Sequence, residues 1–281
     1  MTAPLIAVDG DSFAHRSYHA LPKSIRRGDG GPAGLLVGIG NVLVRLWEEE
    51  SPRAIVVAWD TLTVPTYRHV ALDSYQSGRE FEADLLEQLD LAPQLCEAMG
   101  FAIAKADGYE ADDFLAAAVA FEEARKGHAL VASGDRDTFQ LASERTSILQ
   151  PQRGGGAFAR IGPAEVRERY GVEPTQVPDF IALRGDPSDR IPGARGVGPK
   201  TAADLLRRYG SLEAALAEGR FEQEADALRL YQRIARMDAE APLPPLEDQT
   251  PTWGRGSELA SEWGLGRLSE RLRALEASSS S

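Results

Sequence analysis

Three short apolar runs in this chain stop at an aspartate, and this constrains the fold more than any other feature of the sequence. LIAVD ends at Asp9, AIVVAWD at Asp60 and ALVASGD at Asp135, with Asp137 two residues further on. The apolar runs form a set of five: Leu5–Val8, Ala54–Trp59, Phe101–Ala104, His128–Ala132 and Ser147–Leu149. They are too short for helices and contain many β-branched residues, so they read as buried strands. Segments of helical period lie between them. Leu35–Glu50 has apolar positions at Leu35, Leu36, Ile39, Leu43 and Leu46, and Glu82–Met99 and Ala111–Arg125 are similar. Strand and helix in alternation predict an α/β fold, a parallel sheet with helices on its faces. Ligands of such sheets bind beyond the carboxyl ends of the strands. The aspartates are therefore expected on one edge, joined there by Glu110, Asp112 and Asp113 from the helix opening YEADDFLAAA.

Taken singly, each acid has an ordinary explanation as a turn former, an N-cap or a complement to a helix dipole. Gathered on one edge they repel strongly, and something positive must hold them. These motifs contain few lysines or histidines. Hard divalent cations with oxygen ligands, Mg2+ or Mn2+, are the expected answer, with two or more ions. Zinc is not expected without cysteine or histidine clusters.

Lys and Arg total 31 and Asp and Glu 43, a formal charge of −12. That is the wrong sign for attracting nucleic acid through the overall field, so such binding needs a local basic cluster. One occurs in ALRGDPSDRIPGARGVGPKTAADLL, which supplies Asp186 and Asp189, then Gly193, Gly196 and Gly198, then Lys200, with Arg195, Arg207 and Arg208 nearby. The glycines fall in a hairpin between predicted helices Pro174–Leu183 and Lys200–Tyr209. Glycine permits positive φ and close approach, and a following helix N-terminus offers free N–H groups to phosphate. Such a helix-hairpin-helix grips a DNA backbone without reading its sequence. A simple tight turn with solvated charges is the alternative.

PQRGGGAFAR, residues 151–160, breaks the alternation, and beyond about residue 161 the pattern is wholly helical: Pro163–Tyr170, the two helices of the hairpin, Leu212–Ala217 and Glu222–Met237. The predicted division is 1–160 and 161–281. Residues 240–252 are Pro-rich and extended, and an amphipathic helix Gly266–Ala277 precedes a Ser tail expected to be disordered. Trp253 and Trp263 read as packing residues. No run approaches the roughly 18 apolar residues of a membrane span. The N-terminus has no basic region typical of a signal peptide. The single cysteine, Cys96, fits a reducing, cytoplasmic setting.

The motifs AVDGDSFAHRSYHA, VVAWD, YRHVALDSYQSGRE, GYEADDFLA, SGDRDTFQL and GDPSDRIPGARGVGPKTA together resemble the 5′ nuclease family. That family includes the N-terminal domain of bacterial DNA polymerase I, bacteriophage 5′ nucleases and the flap endonucleases. The resemblance runs from Leu5 to about Met237, and its order and spacing match the polymerase I branch closely. With no polymerase domain following, a stand-alone 5′-3′ exonuclease is expected. The resemblance implies a PIN-like (resolvase-like) domain with a helical arch, then a helix-three-turn-helix region. It implies one metal site of Asp9, Asp60, Glu110 and Asp112 and a second of Asp135, Asp137, Asp186 and Asp189, with Asp113 behind the ligands or bridging the sites. It also implies hydrolysis by two-metal catalysis, leaving 5′-phosphate and 3′-hydroxyl ends. The implied substrate is DNA with a 5′ end or a 5′ flap at a duplex junction, cut by a monomer. Lys200, Thr201 and the Gly193–Gly198 hairpin would anchor the duplex, with a K+ ion at the hairpin.

One position departs from the family. Its arch motif Tyr-Lys-x-x-Arg here reads Tyr75, Gln76, Ser77, Gly78, Arg79, so Gln76 replaces the lysine. Arg16 and Arg79 remain as phosphate contacts, each with an ordinary surface role as the alternative. Tyr75 either stacks on a base or packs within the arch. The loop Pro22–Gly31, with Lys23, Arg26 and Arg27, either touches DNA or is simply solvated. Three other readings stay open: a PIN-like RNase, a structure-specific DNA-binding protein that no longer cuts, and a phosphoacceptor-type signalling domain.

Overall fold

A computed structural model of the chain describes residues 3–78, 80–152 and 157–279. In chain order the first half contains β1 (Leu5–Asp9), α1 (Gly10–Ala20), α2 (Gly34–Glu50), β2 (Ala54–Ala58), α3 (Tyr67–Ala71), α4 (Ala83–Ala98), β3 (Ala102–Ala104), α5 (Ala111–Ala124), β4 (Ala129–Ala132), β5 (Thr146–Pro151) and β6 (Phe158–Ile161). The second half contains α6 (Pro163–Tyr170), α7 (Val177–Arg184), α8 (Pro199–Tyr209), α9 (Leu212–Ala217), α10 (Ala225–Ala235), α11 (Trp253–Glu262) and α12 (Gly266–Ser279). The sheet order is β3-β2-β1-β4-β5-β6. The first five strands are parallel, and β6 runs antiparallel to β5 on the edge. Strand β6 has no counterpart among the five predicted strands; it overlaps the 151–160 segment expected to break the pattern and ends one residue beyond it.

Period-two alternation along the strands divides the interior into two cores. Leu5, Ala7, Val56 and Val131 face Phe114, Leu115 and Ala118 of α5, and this core continues through Phe180, Leu183, Leu206 and Leu228 of the later helices. Ile6, Val8, Ile55 and Leu130 face Phe13, Leu36, Leu43 and Leu89 of α1, α2 and α4. Leu36 and Leu43 are fully buried, each contributing about 1.5–3 kcal/mol. The helices after residue 161 thus share a core with the sheet.

The chain end returns to the first half. Trp253, Leu268 and Leu272 of α11 and α12 complete the second core, and Trp263 packs partly buried against it. Trp253 meets Trp47 and Phe101 edge-on, with ring centroids 6.3 and 5.8 Å apart. Both tryptophans are packing residues, as expected. The extended strap before α11 runs beside β2. Gln249 N–H donates to the Arg53 carbonyl at 2.7 Å, Gln249 Oε1 accepts the Ile55 N–H at 2.8 Å, and Thr252 N–H donates to the Met99 carbonyl at 3.0 Å. Among the described residues no helix is long and apolar enough to cross a membrane. Of the Ser tail, Ser280 and Ser281 lie outside the described residues.

Candidate active site

The central strand β1 lies between β2 and β4, with Asp9 level with Ala58 and Val8 level with Ala132. The chain order reverses at this point, where an open α/β sheet leaves a crevice at its carboxyl edge. A cleft of about 760 Å³ occupies that edge, large enough to admit a substrate group and not merely an ion. Its walls carry Asp9, Asp60, Glu110, Asp112, Asp135, Asp137, Asp186 and Asp189, so every expected metal-site carboxylate is present. Asp11 is a ninth, which the sequence reading passed over. The signal was available, because Asp11 stands two residues beyond Asp9 as Asp137 stands beyond Asp135.

Local bonds hold most of these acids in place. Asp9 ends β1 and caps α1, its Oδ1 accepting the Ser12 N–H at 2.9 Å and its Oδ2 the Ser133 hydroxyl at 2.6 Å. Asp60 Oδ1 accepts the Ala111 N–H at 2.7 Å, capping α5 from a neighbouring strand, and Asp11 Oδ2 accepts the Asp60 N–H at 2.7 Å. Asp135 Oδ1 accepts the Asp137 N–H at 3.0 Å. Asp186 lies in a tight loop closed by two backbone bonds of 2.8 Å with Ile191. Gly185 and Gly193 cross where this loop closes. A Cβ on Gly193 would sit 2.4 Å from the Gly185 nitrogen, and both residues have positive φ. Gly193 is therefore required by the loop that presents Asp186. Gly196 and Gly198 differ, because a Cβ on either meets nothing within 4 Å, leaving an open backbone face beside exposed Lys200 and Thr201 in the first turn of α8.

Glu110 Oε1 accepts from the Thr66 hydroxyl at 2.7 Å and its Oε2 from the Tyr75 hydroxyl at 2.9 Å. Asp113 does not line the cleft. It is fully buried and holds Arg68 through two bonds of 2.8 and 2.6 Å, and Arg68 Nη1 lies 3.6 Å from Glu110. Asp113 thus stands behind Glu110, not between the two carboxylate groups. Tyr75 is 4% exposed, with its ring edge-on to His69, so the ring is packed in the arch while its hydroxyl bonds Glu110 at the cleft wall. Gln76 Nε2 donates to Tyr75 Oη at 3.0 Å and Asp189 Oδ1 at 3.1 Å, joining the arch to the second carboxylate group. Arg16 and Arg136 are exposed and line the cleft. Arg79 lies outside the described residues. The basic residues of the 22–31 loop are engaged internally: Lys23 over the Tyr18 ring, Arg26 facing Asp84 at 3.8 Å, and Arg27 paired with Asp29 and Glu87.

Burial and mutual repulsion push four of these acids, Asp9, Asp11, Asp112 and Asp137, toward their neutral forms. Asp9 is raised to about 7, by burial first and then by Asp135 and Asp60. Asp11, Asp112 and Asp137 lie well above the ordinary carboxylate value of 3.8, through burial and then neighbouring aspartates. Among the described residues no three of these groups close into a ligand cage. Asp9, Asp60, Glu110 and Asp135 turn instead onto nearby N–H and O–H groups. An all-carboxylate donor set held at such electrostatic cost fits hard divalent cations.

The stability consequence has a definite sign. The unfolded chain releases these protons near 3.8, and the native state retains them to higher pH. Between the two values the native state binds more protons, so stability falls as pH rises through this window. Asp29, Glu165 and Glu213 have lowered values, so their opposite contributions are complete above the ordinary acid range. In EDTA, Tm should therefore drop by several degrees between roughly pH 5 and pH 8, and millimolar Mg2+ at pH 8 should restore it. Calorimetric melts check this, and a flat profile in EDTA would contradict it.

A parallel-sheet domain with carboxylates at its strand ends, completed by helices whose hairpin loop adds two more, defines a resolvase-like class with a helical C-terminal unit. Residues 4–171 match the family model for the 5′-3′ exonuclease N-terminal resolvase-like domain, and residues 172–253 match that for the C-terminal SAM fold. The chain belongs to the 5′-3′ exonuclease family. It is 40% identical over 210 residues to DNA polymerase I of Deinococcus radiodurans, covering 74% of this chain and 21% of that one. It is 34% identical over 250 residues to the thermostable DNA polymerase I of Thermus thermophilus, covering 85% and 29%. The chain thus spans less than a third of the length of these relatives. A bacteriophage T5 flap endonuclease, solved with DNA and metal ions, shares the fold at a TM-score of 0.68 and 18% identity, over 96% of this chain and 98% of that one.

Proposed function

We propose that this chain is a divalent-metal-dependent 5′-3′ exonuclease and 5′-flap endonuclease that hydrolyses DNA phosphodiester bonds, leaving 5′-phosphate and 3′-hydroxyl ends. The observation carrying this reading is the convergence of the eight carboxylates in one open cleft, six from the sheet edge and two from the helical region. Asp9, Asp60, Glu110 and Asp112 would hold one ion, and Asp135, Asp137, Asp186 and Asp189 another, with Mg2+ or Mn2+ the fitting metals. When bound, such ions supply Lewis-acid activation of water and neutralise charge on the scissile phosphate.

The chain's own groups do the rest. Ser133 and the Ser12 N–H orient Asp9, while Thr66 and Tyr75 orient Glu110. Arg16 and Arg136 bring positive charge to the cleft wall, where a DNA phosphate enters. The open face of Gly196 and Gly198, with Lys200 and Thr201 at the start of α8, supports gripping the duplex backbone. The adjoining hollow lined by Pro192–Gly198, Glu224 and Tyr231 supports a K+ ion there as part of this proposal. The catalytic unit is assigned to 1–160 and the duplex-gripping unit to 161–281. Buried Cys96 supports work in a reducing cytoplasm.

A 5′-flap DNA labelled at its flap terminus tests the reading, run beside an RNA flap, in Mg2+ and in EDTA. Cleavage of the DNA flap in Mg2+ alone is the expected result. Cleavage that survives chelation overturns metal dependence. Tight flap binding without product supports a binding protein instead, and preference for the RNA flap supports an RNase.

A further inference from the structure

The second carboxylate group contains a resident cation. Arg184, the last residue of α7, lines the cleft with its Nη2 3.1 Å from Asp186 Oδ2. Its side chain is only 21% exposed. The guanidinium lies 5.2 Å from the Phe180 ring centroid and 5.8 Å from that of Tyr170, two rings stacked on each other at 5.0 Å. Its Nε is buried without a hydrogen-bond partner. Packing on the rings therefore fixes the head group beside Asp186. The first group differs in degree: its buried arginine, Arg68, lies 3.6 Å from Glu110 but makes its two hydrogen bonds to Asp113, a carboxylate behind the cleft wall that offsets its charge.

We infer that Arg184 is a built-in counter-ion of the second carboxylate group, so that divalent cations bind the two groups with unequal affinity, more weakly at the group containing Asp186. The inference rests on the metal-dependent reading above and deepens it. An ion entering there shares Asp186 with a guanidinium and meets a fixed positive charge where little water screens it. A neutral side chain at position 184 removes the repulsion and frees Asp186 for the ion.

Titration of the intact protein with Mn2+ in the absence of DNA, read by calorimetry and by loss of the free-ion paramagnetic resonance signal, counts the sites and ranks them. The wild type should show a tight and a weak class. In Arg184→Met the weak class should tighten by about tenfold while the tight class stays put, and Arg184→Lys, which keeps the charge, should remain near the wild type. Arg184→Gln serves the same purpose if the Met variant does not fold, as checked by circular dichroism. Equivalent sites in the wild type, an unchanged weak class in the neutral variants, or equal tightening in Arg184→Lys overturns the inference. Absence of any Mn2+ binding by the wild type overturns the metal-dependent reading on which it rests.

Discussion

Asp112→Asn is expected to lower the single-turnover cleavage rate on 5′-flap DNA by roughly 10²–10³-fold and at the same time to raise Tm in EDTA. Asp112 sits in the first turn of α5, faces the cleft, and is raised well above the ordinary carboxylate value by burial and by Asp135 and Asp9. Asparagine preserves the size of the side chain and the helix start but removes the charge. The metal-free protein loses a repelled carboxylate and gains stability, while the loaded cleft loses a hard oxygen donor. The opposite signs separate this outcome from simple damage, which would lower rate and Tm together. A variant that cuts within about threefold of the parent would remove Asp112 from the catalytic set. Mg2+ titration of the remaining activity should show a raised requirement for the ion.

The largest effect on stability is expected at Arg68. Arg68→Met should cost about 3–5 kcal/mol, a fall in Tm on the order of 10 °C for a chain of this size. Arg68 is 3% exposed and binds Asp113 through two bonds, while its Nε donates to the Ile234 carbonyl at 2.9 Å. Removing it strands the buried carboxylate of Asp113 and withdraws positive charge from Glu110 at 3.6 Å. The double variant Arg68→Met with Asp113→Leu should recover part of the loss, because the stranded charge is gone. Recovery should be incomplete, since Asp113 also accepts the Asp238 N–H at 2.8 Å and the Glu110 N–H at 3.1 Å. Thermal melts of the three proteins decide the point, and a single variant within about 1 kcal/mol of the parent would show that the pair is not a linchpin.

The parts of this structure legible in the sequence are those whose signal is local. Short apolar runs bounded by turn signals identified five strands to within a few residues, and the aspartates ending three of them identified the cleft. The helix α1 was not legible, because GDSFAHRSYHA is polar and its buried face is only Gly10, Phe13, Ala14, Ser17 and Tyr18; the cap from Asp9 starts it. Strand β6 has four residues and exists through pairing with β5, a partner no local pattern reveals. The predicted helix Pro174–Leu183 is a 3-10 turn followed by α7, because the prolines favour helix starts and Pro178 cannot donate to a preceding turn. Helix α11 was hidden by its two glycines, of which Gly256 is needed because a Cβ there would meet Met99 at 2.8 Å. In the cleft, the carboxylates were legible by type and position. Arg68 and Arg184 were not, since each acquires its meaning from a partner set by tertiary packing.

The strap along β2 has a consequence for self-association. An open sheet ends in strands whose unpaired N–H and C=O groups can recruit another chain. Here β3 is three residues long and begins opposite Val56, leaving the start of β2 without a strand neighbour on that side. Gln249 fills the gap with its side-chain oxygen on the Ile55 N–H and its backbone N–H on the Arg53 carbonyl. A polar side chain thus ends hydrogen bonding where a foreign strand would otherwise add. Residues far from the cleft in sequence and function thereby guard the fold against edge-to-edge aggregation.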